Sequence, residues 1–241
     1  MIDAQARAAK VELLAIDRSR VASGVGEEAY LTALAALIRD LGKMPILGFS
    51  IGAALALRVA ARLASDAGPL FLVSAAGPLD VPGALGELGS GERVFRMARA
   101  GRLGFDLMVR CQSILARNAP IALQRILFAG AAGEEKAFAA KRQDRLARVY
   151  AEAWFGGGLG YRRDIAAYVE DWSSELARVT APVTLWHGLA DTWAPISMSR
   201  TIASRLPSQC RLSTGNAGHY TTLISSADDV LVSARTASEA G

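Results

Sequence analysis

Met44-Pro45-Ile46-Leu47-Gly48-Phe49-Ser50-Ile51-Gly52 joins a short apolar run to the opening of a helix through a turn framed by two glycines. Met44 to Leu47 suits a buried strand, and Ile51 to Ala64, apolar almost all round, suits a buried helix. Gly48 to Gly52 fit the pattern G-x-S-x-G, in which a serine occupies a sharp strand-to-helix turn. Larger side chains at the two glycines would collide with the adjacent strand and helix. Such a turn lifts the Ser50 hydroxyl above a sheet. It also sets the Ile51 amide at a helix N-terminus, where it can stabilise a developing negative charge.

Working outward, Lys10 to Asp17 reads as a further buried strand, and Gly26 to Leu41 as an amphipathic helix closed by Gly42. Pro69 to Ser74 reads as a third strand. This alternation predicts an α/β fold, a mostly parallel sheet with helices on both faces. The rhythm then stops. Pro78 to about Trp172 carries helix-like stretches at 92–103, 105–117, 120–128, 134–155 and 161–172, with no strand pattern. It resumes at Pro182–Trp186, Pro195–Leu206, Cys210–Ser213 and Tyr220–Arg235. The expected division is a first core part over 1–77, an all-helical insertion over 78–175 and a second core part over 176–241. Such an insertion either roofs a pocket or forms a passive layer.

With 241 residues, 51% of them hydrophobic and 21% charged, the chain can bury one large core as an ordinary globular protein. Its longest apolar stretch, Met44 to Leu57, is about 14 residues, short of the roughly 20 a membrane span needs. The N-terminus lacks the pattern of a secretory signal, so a cytoplasmic location is expected. Cys111 and Cys210 form no metal or redox motif and read as buried thiols. No cofactor and no metal are expected, since no His, Cys, Asp and Glu cluster has ligand spacing. The net charge of +4 comes from arginine. Arg58, Arg62, Arg96, Arg99, Arg102 and Arg110 recur at helix-like spacings, which reads as a solvated helical surface and not a nucleic-acid site.

Two other segments carry chemistry. Pro182-Val183-Thr184-Leu185-Trp186-His187-Gly188-Leu189-Ala190-Asp191 runs a strand into a loop bearing an aspartate, and Asn216-Ala217-Gly218-His219 places a histidine just after another strand. Open α/β sheets build their sites along that edge. A serine hydroxyl needs a base to take its proton. Imidazole, with an ordinary pKa near 6.5, can accept and return it, and a carboxylate on the other ring nitrogen selects the tautomer. The chain has only two histidines. His187, within the strand-end turn, reads as structural and His219 as the base. Asp80, after the third strand, rivals Asp191 as the acid, and Asp164, Glu170 and Asp171 read as solvated charges. Gly156 to Gly160 lacks the Lys-Ser/Thr of a phosphate loop and reads as a hinge or loop. Phe49, Trp154 and Trp193 are candidate substrate contacts. Trp154, Phe155, Tyr161, Tyr168 and Trp172 could line a pocket or be the insertion's own packing.

G-F-S-I-G at 48–52, W-H-G-x-x-D-x-x-x-P at 186–195 and G-H at 218–219 together resemble α/β-hydrolase fold enzymes with a helical cap. Asp17-Arg18 is similar to that family's D-R-P-G segment, with Ser19 in place of the proline. The resemblance runs from about residue 10 to 235. It implies Ser50 as nucleophile, His219 as general base and then acid, Asp191 as the group orienting the imidazole, and Ile51 as an oxyanion donor. The implied activity is hydrolysis of a small or medium carboxylic ester through an acyl-enzyme. Peroxidase-like, lyase or carbon–carbon hydrolase chemistry remains open on the same triad.

The family places three strands and an H-G loop ahead of the D-R-P-G strand, and only 49 residues precede Ser50 here. That loop supplies a second oxyanion amide, and losing one such donor costs about 10²–10³ in turnover. The expectation is that Met1 is an internal or misassigned start of a longer protein. The alternatives that follow are a weakly catalytic or inactive scaffold, and a homo-oligomer formed through an exposed sheet edge.

Overall fold

The computed structural model describes residues 1–239 apart from 22, 23, 82, 83, 90 and 132. Its centre is a sheet of β1 (Ile46–Phe49), β2 (Leu70–Val73), β3 (Val183–Gly188) and β4 (Cys210–Gly215). All pairings are parallel in the order β1-β2-β3-β4. The register sets Ile46 beside Leu70, Leu70 beside Val183 and Val183 beside Cys210, so all four strands end at one rim.

Around the sheet lie α1 (Asp3–Ala8), α2 (Glu27–Asp40), α3 (Ile51–Leu63), α10 (Ile196–Arg205), α11 (His219–Ser225) and α12 (Ala227–Glu239). Between β2 and β3 the described residues form six α-helices: α4 (Gly91–Ala100), α5 (Arg102–Asn118), α6 (Pro120–Leu127), α7 (Gly133–Lys141), α8 (Gln143–Ala153) and α9 (Leu159–Val169). No strand lies among the described residues of that segment. Successive side chains of a strand point to opposite faces. Leu70 and Leu72 pack with α2, α3 and α9 on one face, and Phe71 and Val73 with α1 and α12 on the other. That is why β2 is apolar at every position.

Helix α3 is buried along ten residues, Arg58 among them. The Arg58 guanidinium donates to Glu175 at 2.7 Å, to the Ala167 carbonyl at 2.8 Å and to Glu27. Arg62 bridges Glu28 and Glu175 at 2.5 and 2.6 Å. These two arginines are therefore not part of a solvated surface. A buried charge persists only with such partners, and here they tie α3 to α2 and to the 173–178 turn. Asp164 is likewise buried, accepting from Tyr30 at 2.8 Å and paired with Arg18 at 3.0 Å.

The strand expected over Lys10–Asp17 is absent. The chain leaves α1 through Lys10 at φ 55°, and the Val11 amide closes on the Ala6 carbonyl, so the run begins as a helix end. Leu13 and Leu14 are exposed. The outer edge of β1 stays open among the described residues, with Leu47 37% exposed. The helices expected over 134–155 and 220–235 are each broken in two, at Arg142 (φ −117°) and at Ser226, whose hydroxyl bonds back to the Thr222 carbonyl.

Candidate active site

Ser50 caps α3 at φ 55°, ψ −126°, a conformation that costs a non-glycine residue energy and persists only where the surroundings impose it. Gly48 explains part of that imposition, because a Cβ there would lie 2.7 Å from the Ala53 Cα. Gly52 is less constrained: its Cβ would meet only the Arg18 guanidinium, at 3.4 Å. The Ile51 amide, first of the helix, has no hydrogen-bond acceptor among the described residues.

Asp191 and His219 meet at the same rim. Asp191 Oδ2 accepts from His219 Nδ1 at 2.7 Å, while Oδ1 accepts from the Trp193 and Ala194 amides, each at 2.9 Å. Burial by itself would raise the Asp191 pKa. The His219 imidazole and these hydrogen bonds outweigh it and hold the carboxyl below its usual range. The Ser74 hydroxyl, at the end of β2 in a backbone with φ 47°, donates to the His219 carbonyl at 3.1 Å. The Ser50 amide donates to Val73, the residue before Ser74, at 3.1 Å. The Ser50 hydroxyl itself is not hydrogen-bonded to His219.

His187 lies beneath this site. Its Nδ1 is 2.6 Å from the Ser199 hydroxyl and its Nε2 2.6 Å from the Ala194 carbonyl. The carbonyl can only accept, so Nε2 carries the proton and Nδ1 accepts from Ser199. Burial lowers the His187 pKa and keeps the ring neutral. Asp80 is tied to Arg205 at 2.8 and 2.9 Å, so Asp191 is the carboxylate on His219.

The His219 ring is 1% exposed, packed against Phe49 (4.8 Å between centroids), Trp193 (5.4 Å) and Tyr220 (5.5 Å). Phe49 and Trp193, two of the candidate substrate contacts, thus both pack on the His219 ring. Trp154, the third, packs on Tyr150 at 5.9 Å and Tyr161 at 4.5 Å among the helices between β2 and β3. Tyr168 and Trp172 are core packing, the former donating to the Gly77 carbonyl at 2.9 Å.

Three contributors had no signal in the sequence. Ser74 ends the expected third strand, and Tyr220 and Glu135 fall within expected helices without any motif of their own. Glu135, 2% exposed on α7, accepts from the Thr221 amide and hydroxyl at 2.8 Å each. Gly218 makes the approach possible, because a Cβ there would sit 2.5 Å from the Glu135 Cγ. An acid of the inserted helices therefore holds the turn that carries His219. Among the described residues no group of His, Cys, Asp and Glu could hold a metal ion, and no helix is long and apolar enough to cross a membrane.

No protein-family model and no curated sequence matches the chain. Solved structures do match its architecture. An esterase from Thermogutta terrifontis, determined with malate bound, superposes with a TM-score of 0.59 at 19% identity, covering 88% of this chain and 71% of that one. The enol-lactonase of Burkholderia xenovorans LB400 gives 0.60 at 17% identity over 88% and 73%. A bromoperoxidase from Bacillus anthracis gives 0.55 at 17% identity, again over 88% and 73%. At such identities a likeness speaks for architecture alone, and the architecture of this chain is the α/β-hydrolase fold.

Proposed function

We propose that the protein is a serine hydrolase that cleaves a small or medium neutral carboxylic ester through an acyl-enzyme. The observation that carries this reading is the 2.7 Å bond between His219 Nδ1 and Asp191, at the rim where Ser50 is held at positive φ. With Asp191 on Nδ1, the free Nε2 is the nitrogen that takes the Ser50 proton as Oγ attacks the ester carbonyl. The Ile51 amide receives the oxyanion. Imidazolium then protonates the departing alkoxide, and the cycle repeats with water to release the acid and restore Ser50. Helices α4 to α9 act as a cap, with α7 reaching the His219 turn through Glu135. That two of the structural neighbours are an esterase and an enol-lactonase supports an ester substrate.

The open Ser50–His219 bond fits an unliganded hydrolase, in which catalytic hydrogen bonds are often long and tighten only with substrate. The same observation favours the rival reading of an inactive scaffold. A fluorophosphonate probe separates them. Labelling that disappears in Ser50→Ala and His219→Ala requires a working triad, whereas no labelling of folded wild-type protein ends the hydrolase reading.

A further inference from the structure

Helix α5 carries two stripes. Phe105, Val109 and Ala116 face inward and are buried. The outward stripe is Leu103, Leu107, Arg110, Ile114 and Arg117, spaced four and three residues apart along a single helix face. A solvated helix keeps that stripe polar. Here Leu103 is 90% exposed, Leu107 63% and Ile114 57%. Phe155, 75% exposed, joins Ile114 and Arg117 around a cleft of about 850 Å³, and Leu159 beyond it is 61% exposed.

The charge around this stripe is one-sided. Residues 91–130 contain seven arginines and only two acids, Glu92 and Asp106, a net of +5 where the whole chain carries +4. Both acids are already neutralised, Glu92 by Arg96 at 2.7 Å and Asp106 by Arg162 at 3.0 Å. We propose that this face docks on an anionic lipid bilayer, with α5 lying in the plane of the interface. Leucine, isoleucine and phenylalanine enter the headgroup boundary while the arginines meet the lipid phosphates. The same charge disfavours the other occupants. A second copy of this face would bring two cationic surfaces together. A nucleic acid would gain nothing from leucines that neither stack nor accept a hydrogen bond.

Hydrolysis plays no part in this inference, and its test needs no turnover. The intact protein is sedimented with vesicles of phosphatidylcholine alone and of phosphatidylcholine mixed with phosphatidylglycerol, at about 0.1 M salt. Binding to the mixed vesicles is expected to exceed that to the neutral ones about tenfold and to weaken as salt rises. The double variants Leu103→Ser/Leu107→Ser and Arg110→Ser/Arg117→Ser are each expected to lose about tenfold in binding. Their melting temperatures should stay unchanged, since the substituted side chains face solvent. Absence of binding to the mixed vesicles, or equal binding by wild type and both variants, overturns the proposal. So does a dimer that the leucine variant dissolves, or tight binding of a single-stranded oligonucleotide that mixed vesicles fail to displace.

Discussion

At the residue scale the site rests on two tensions. Ser50 is strained, and a left-handed backbone costs an L-residue about 1–3 kcal/mol. Ser50→Gly should therefore be more stable than Ser50→Ala by about 1 kcal/mol in urea denaturation, although both lose the hydroxyl. The second tension is spatial. Glu135 occupies the room that Gly218 leaves. Gly218→Ala is expected to cost about 1–3 kcal/mol by overpacking, and to cost almost nothing once Glu135→Ala has emptied the space. Additive losses in that double-mutant cycle would show that the two residues do not compete for the same volume.

Elements explain why a mostly apolar helix carries buried charge. Arg58 on α3 joins Glu27 on α2 to Glu175 beyond α9, and Arg62 shares Glu175. Removing one partner of a buried network strands the others. Arg58→Ala is thus expected to lose about 3 kcal/mol of stability, measured by urea titration, while Arg96→Ala, an exposed pair, loses under about 1 kcal/mol. Strand β1 poses the opposite problem. Ile46 and Ser50 donate toward β2, so Leu47 and Phe49 turn their backbone groups outward, with no partner among the described residues. An open edge recruits other edges. Light scattering is expected to show self-association that Leu47→Lys reduces; a protein monomeric at all concentrations would count against it.

For the whole molecule, the pKa shifts give stability a direction with pH. Buried His187 resists the proton that the unfolded chain accepts, so stability falls as pH drops below about 6.5. Asp191 and Glu175 lie below their usual range in the fold, so a further loss follows as pH drops through about 4. Urea midpoints should trace both stages. His187→Gln is expected to flatten the upper one and Asp191→Asn to shrink the lower; an unchanged upper slope in His187→Gln would mean that another group titrates there.

Much of this was legible beforehand because it is local. Gly48 to Gly52, the apolar runs that became β1 to β4, and the two strand-end segments with Asp191 and His219 each carry their own pattern of period and turn chemistry, whatever the rest of the chain does. The run Lys10–Asp17 forms no strand, for the complementary reason. A strand exists only through its neighbour's amides, and the apolar run carries no record of whether a neighbour is there. Burial of Arg58 and Asp164, the approach of Glu135 to Thr221 and the choice of Asp191 over Asp80 likewise join residues far apart in the chain. Spacing along the sequence determined which groups could do chemistry. Only tertiary packing decided which of them touch, because contact between distant residues follows from how the helices close over the sheet.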